Sequence, residues 1–197
     1  SRILKQPLNV DARFPPRFGG AEALRDDGWD SPAGCLGVAS MLQQNVYQSS
    51  NVKGVAAEAF RHAAMSEVTS VKEGVVSLCA AADAHALFAK FSQQWQKCDG
   101  TTLSLPGNLF RLDARITNVR AATSVLAATV WIRWKSSGSN SASIPAGRAV
   151  AVRDNCLVEV EVDFFDRSIQ SHHGPGDFDA TAIDVARAML DKVGALI

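Results

Sequence analysis

The sequence predicts an α+β fold, an antiparallel sheet with helices packed on one face and two disulfides. Three observations point there. Residues 156–165 alternate, with Leu157, Glu159 and Glu161 on one side and Val158, Val160 and Val162 on the other. That is a strand with one wet and one buried face, as in an antiparallel sheet. Leu87, Phe88, Phe91 and Trp95 recur at helical spacing, opposite Lys90, Gln94 and Lys97. Four cysteines, Cys35, Cys79, Cys98 and Cys156, make an even set with no metal-type spacing. A chain of 197 residues, 47% hydrophobic, can bury about 70% of its unfolded surface and build a core without staples.

Taken in order, residues 1–30 are expected to be an irregular arm and 31–197 the folded domain. Phe14-Pro15-Pro16-Arg17-Phe18-Gly19-Gly20 breaks any helix, and Asp26-Asp27-Gly28-Trp29-Asp30-Ser31-Pro32 is turn chemistry. A short helix follows Cys35 through Val38, Met41 and Leu42. Residues 52–62 are weakly β-patterned, and the valines of 68–79 favour a strand. Asp83 is a natural N-cap for the Leu87–Trp95 stripe, and Gly100 suits a left-handed position beyond its end. Strands are expected over 101–105, 109–119 and 125–135, with 136–143 as a polar hairpin loop. Strands 148–153 and 156–165 meet at a tight Asp154-Asn155 turn. Ile183, Ala186, Met189, Leu190 and Val193 form the apolar face of a closing helix, with Asp177 or Asp179 near its start.

Zinc would want close pairs such as Cys-x-x-Cys, because two ligands from one turn preorganise a tetrahedron, and no such pair exists. Four cysteines permit three disulfide connectivities; four buried thiols in a reducing compartment are the plainer alternative. The favoured pairing is Cys35–Cys98, clamping the Cys35 segment to the end of the first long helix, with Cys79–Cys156 joining two strands. Lys plus Arg equals Asp plus Glu at 20 each, so no net field draws nucleic acid, and none is expected as a partner. No stretch approaches the roughly 20 apolar residues of a membrane span. The chain opens at Ser1-Arg2-Ile3, which reads as a fragment whose targeting segment has been removed.

Several segments share an order with a known family. They are Ser31-Pro32-Ala33-Gly34-Cys35, Asn45-Val46-Tyr47, Val75-Val76, Ala81-Ala82-Asp83-Ala84 and Gln94-Trp95-Gln96-Lys97-Cys98-Asp99-Gly100. Arg148-Ala149-Val150-Ala151-Val152-Arg153-Asp154-Asn155, the Val-rich strand after it and the helix over 182–193 follow. Together they resemble the mycobacterial PknH-like extracellular domain, across residues 30–195. That family includes the sensor domain of a receptor serine/threonine kinase and a set of cell-envelope lipoproteins. The Trp-x-x-Cys-x-Gly end of the helix is its most telling element and supports Cys98 as a bridge partner. The family's second disulfide lies in the C-terminal half, so a Cys79–Cys156 bridge would depart from it. The resemblance implies an extracytoplasmic domain with a cleft between sheet and helices for a small ligand. Membrane attachment would run only through a lost N-terminal lipid anchor. It does not imply the kinase, since this chain has no glycine-rich loop, catalytic Asp loop or activation segment.

No catalytic set is expected. His172-His173, near Asp163, Asp166, Asp177 and Asp179, could ligate a metal, but adjacent histidines point apart. Gly-x-Ser-x-Gly is absent. Glu159 and Glu161 read as a solvated strand face. Neither a metal nor a cofactor is called for. Trp131 and Trp134 cannot share a strand face, because their spacing is odd, whereas Trp95 is most simply core. The expected ligand-binding residues are Tyr47, Trp131, Trp134, Arg148 and Arg153. An aromatic wall with charged groups suits a small or lipid-like ligand. The alternative is a protein–protein interaction module.

Overall fold

The computed structural model describes residues 12–26, 34–61, 67–106, 111–136, 139–140, 143–164 and 177–196. In chain order they form β1 (Ala12–Gly19), α1 (Leu36–Ala39), α2 (Gln44–Tyr47), β2 (Val52–Arg61), β3 (Val68–Leu78) and α3 (Ala81–Cys98). β4 (Thr102–Pro106), β5 (Arg111–Ala121), β6 (Val125–Ser136) and β7 (Ser139–Asn140) follow, then β8 (Ile144–Arg153), β9 (Cys156–Phe164) and α4 (Asp177–Leu196). The strands make one sheet in the order β1-β2-β3-β9-β8-β6-β5-β4, with the two-residue β7 beside β6. Every pairing is antiparallel. The class is α+β, as expected.

The helices do not share a face. Leu87, Phe88, Phe91 and Trp95 of α3 pack with α1 and α2 on Val76, Ile116, Leu126, Val150 and Leu157. Phe178, Ala182, Ala186 and Met189 of α4 pack on Ala149, Ala151, Val158, Val160 and Val162. Alternate positions of β8 and β9 thus feed two cores on opposite faces. A helical stripe shows that a face is apolar but not which side of a sheet it will cover. Hence β9, expected half wet, is buried along nearly its whole length. Gly147 lets α4 lie against the sheet, because a Cβ there would run into the Phe178 carbonyl.

The N-terminal stretch is also more ordered than expected. Residues 12–19 form an edge strand hydrogen-bonded to β2, and the register shifts between Phe14 and Arg17 to pass Pro15 and Pro16. Proline donates no hydrogen bond and is tolerated only at such edges and bulges. Asp83 sits in the first turn of α3 rather than at its cap, which is Ala80; there it complements the helix dipole. Gly100 takes a φ of +77° beyond the helix end, as anticipated, and the expected turn between β8 and β9 has Asp154 at a φ of +51°.

Cys35 and Cys98 form a disulfide, with Cα atoms 5.7 Å apart. The expected Cys79–Cys156 bridge is not formed, and both thiols are free. Ser77 pairs with Cys156 across β3 and β9, which leaves Cys79 one diagonal step away. Diagonal neighbours stand about 7–8 Å apart, past the roughly 6.8 Å that a bridge spans.

Candidate ligand-binding site

Arg148 stands in the middle of β8, in an Ala/Val run buried on both faces. A guanidinium there must find partners for all its N–H groups. Its Nε donates to the Val38 carbonyl at 3.0 Å and its Nη2 to the Gly37 carbonyl at 3.1 Å, at α1. Nη1 donates to the Val160 carbonyl at 2.9 Å, and Nη2 also to Glu159 Oε2 at 2.9 Å. The other oxygen of Glu159 accepts from Tyr47 Oη at 2.6 Å and from the Leu42 amide at 3.2 Å. Arg148, Tyr47 and Glu159 are 0%, 2% and 3% exposed.

This network ties the α1–α2 segment to the sheet. Leu42 is held at a φ of +57°, a conformation a leucine adopts only where its surroundings impose it. Its amide on Glu159 is one such restraint. The Trp95 ring lies 6.0 Å from the Arg148 guanidinium, and Tyr47 meets Phe91 edge-on at 5.7 Å, so α3 joins the same lock. Burial, reinforced by the Glu159 charge, pushes the Tyr47 phenol well above its ordinary range. It stays protonated as a donor.

Two residues further along β9 lies a second, more accessible cluster. Lys72 pairs with Glu161 and, at 3.0 Å, with Asp163, which also accepts from Ser70. Burial pulls the Lys72 ammonium down, but the two carboxylates together outweigh it and hold it above its usual value. Lys72 lies between two hollows. One, of about 180 Å³, is walled by Phe14, Met41, Leu42, Ala57 and Ala59 and by the charged Arg17, Arg25, Glu58 and Glu73. The other, of about 340 Å³, is walled by Ile132, Trp134, Ile144, Pro145 and Phe164 beside Lys72 and Asp163. Lys72 is common to both, so the two hollows adjoin on this face and are together termed the groove. The first touches the α1–α2 segment at Met41 and Leu42, and Trp134 is half-exposed on the rim of the second.

The five residues expected to bind ligand therefore part company. Tyr47 and Arg148 come together as the buried lock beneath the groove and do not face solvent, because the groups they satisfy are internal. Trp134 is on the groove. Trp131 is on the opposite face, stacked edge-on against Phe178 at 5.8 Å, as odd spacing requires. Arg153 is at the far end of β8, where its Nη1 donates to the Leu190 carbonyl at 3.3 Å and faces Asp191 at 3.8 Å. It serves the last turns of α4 and lies away from both hollows.

Sequence reasoning missed Glu159, Glu161 and Lys72. Glu159 and Glu161 read as solvated, yet both are buried. The overlooked signal was Arg148 itself, since an arginine inside an apolar central strand demands a carboxylate nearby. His172-His173 and Asp166 lie outside the described residues. Among the described residues no cluster of His, Cys, Asp and Glu is arranged to hold a metal.

No curated protein matches the chain. Residues 16–192 match the family described as PknH-like extracellular domain. The chain belongs to that family. The solved extracellular domain of PknH from Mycobacterium tuberculosis shares its fold, with a TM-score of 0.68 at 16% identity over 93% of this chain and 84% of that one. This PknH-like domain is therefore extracytoplasmic, where the Cys35–Cys98 bridge is chemically at home. The resemblance read from the Trp95-to-Gly100 segment is borne out, and the matched span also takes in part of β1.

Proposed function

We propose that this PknH-like domain is a non-catalytic binding module of the cell envelope, for sensing or carriage. Its ligand is small and amphipathic, of lipid-like chemistry, and is taken in the groove that meets at Lys72. The observation that carries this reading is the largely apolar hollow walled by Ile132, Trp134, Ile144, Pro145 and Phe164, which opens beside the charged Lys72–Asp163 pair. Apolar walls receive an acyl or similar chain, and the Lys72–Glu161–Asp163 group orients a polar head. The chemistry-bearing side chains beneath, Tyr47, Arg148 and Glu159, are committed to internal hydrogen bonds, which favours a scaffold over an acid–base role. Attachment to the membrane through an N-terminal lipid belongs to the same proposal.

Native mass spectrometry after incubation with an envelope lipid extract tests it. The expected result is a retained lipid, lost in Trp134→Ala and Lys72→Met variants that still melt cooperatively. Absence of any retained lipid, or retention unaffected by both substitutions, would overturn the reading. A protein-interaction role is the alternative, favoured by the edge strand β1 and its exposed Phe14 and Phe18.

A further inference from the structure

The sheet face that carries α4 is only partly covered. α4 lies over β8, β9 and β6 and reaches β5 at Asn118 and Arg120, which bond Asp179. Among the described residues it leaves β4 and the first part of β5 uncovered on that side. There a hollow of about 410 Å³ is lined by Thr102, Asp113, Arg115, Thr117, Trp131 and Arg133. The β5–β6 register sets Arg115 opposite Trp131 and Asp113 opposite Arg133, so both guanidiniums flank one indole. The ring is fixed in place, because its Nε1 donates to Thr117 Oγ1 at 3.1 Å and it packs edge-on against Phe178.

The charges here are unbalanced. Asp113 is already engaged, accepting from Ser104 Oγ at 2.8 Å and facing Arg111 at 3.4 Å. Arg115 and Arg133 are exposed, and neither has a hydrogen-bond or ion-pair partner among the described residues. A guanidinium presents a fork that matches a carboxylate or phosphate. Hydroxyls around a rigid aromatic plate are the equipment for a polyhydroxylated ring.

We infer that this hollow is a second binding site, for an anionic saccharide. The sugar ring lies against Trp131, and its carboxylate or phosphate sits between Arg115 and Arg133. Thr102 and Ser143, in the same lining, meet the ring hydroxyls. The site is on the opposite face from the Lys72 groove and does not depend on it.

Isothermal titration of the whole chain tests the inference, with glucuronate and glucose 6-phosphate as probes and glucose and inorganic phosphate as separate arms. Binding of both charged sugars, at least tenfold tighter than glucose and than phosphate, is expected, and it should weaken as salt is raised. An Arg115→Gln/Arg133→Gln variant should lose that binding at least tenfold, with its melting temperature and any lipid retention unchanged. Both side chains are exposed, so the variant keeps its fold. Equal affinity for glucose and glucuronate would overturn the inference, since no anion would be read. Equal affinity for phosphate and glucose 6-phosphate would overturn it as well, since no sugar would be read. An unaltered double variant, or no binding at about millimolar concentration, would do the same.

Discussion

Replacing Arg148 with methionine tests the buried lock most severely. The substitution keeps much of the side-chain volume but removes the four hydrogen bonds to Val38, Gly37, Val160 and Glu159. It leaves the Glu159 carboxylate buried with only Tyr47 Oη and the Leu42 amide. Removing one partner of a buried ion pair costs about 3–5 kcal/mol, mostly from the stranded charge. For a chain of this size each kcal/mol moves Tm by about 2–4 °C, so the melt should fall by roughly 6–20 °C. Adding Glu159→Leu removes the stranded charge, and the double variant should be more stable than Arg148→Met alone. Thermal and urea unfolding by circular dichroism give both numbers, and a double-mutant cycle gives the coupling. A cost below about 1 kcal/mol for Arg148→Met, or strictly additive single and double variants, would refute the lock.

The remaining predictions concern other parts of the fold. Burial pushes the Glu73 carboxyl above its ordinary range; Lys192 pulls it back and Glu58 adds to the rise. A carboxyl raised in the fold opposes folding once ionised, so its cost is absent below the unfolded value and full above the folded one. Glu73→Gln should therefore raise Tm at pH 7, with the gain vanishing below about pH 4. Non-reducing peptide mapping should show one bridge, Cys35–Cys98, with exposed Cys79 alkylated rapidly in the native state. Cys156 should react only on unfolding, being buried with its thiol pushed up by burial and by Asp154. A loop with a sequence separation of 63 implies that reducing the bridge costs about 4 kcal/mol in the chain-entropy picture. Gly147→Ala should force α4 off the sheet at Phe178, costing about 1–3 kcal/mol and raising hydrogen exchange in α4 ahead of β8.

Much of the architecture was readable because local patterns decide it. The Leu87-to-Trp95 stripe became α3, the β9 alternation became two distinct faces, and odd spacing separated Trp131 from Trp134. Cys35 and Cys98 paired as the helix end suggested. What failed depended on tertiary placement. Nothing local says that α4 covers the face opposite α3, or that α1 and α2 fold back over Glu159 and Glu161. Pro15 and Pro16 suggested an irregular arm, and an edge position with a shifted register accommodates them in a strand. Cys79 and Cys156 satisfied an even count, but a register of one diagonal step keeps them apart. Tyr47 and Arg148 suggested an aromatic wall and a charged group for a ligand, and they serve instead the buried scaffold beneath the groove.

The groove itself is tested most directly by titrating isotope-labelled protein with a single-chain lysophospholipid below its micelle concentration and following amide and indole shifts. Binding as described should move Ala57, Ala59, Lys72, Ile132, Ile144 and the Trp134 indole together, saturably, while the α4 face stays still. Shifts confined to the β1 edge, spread over both faces, or absent altogether would contradict the account.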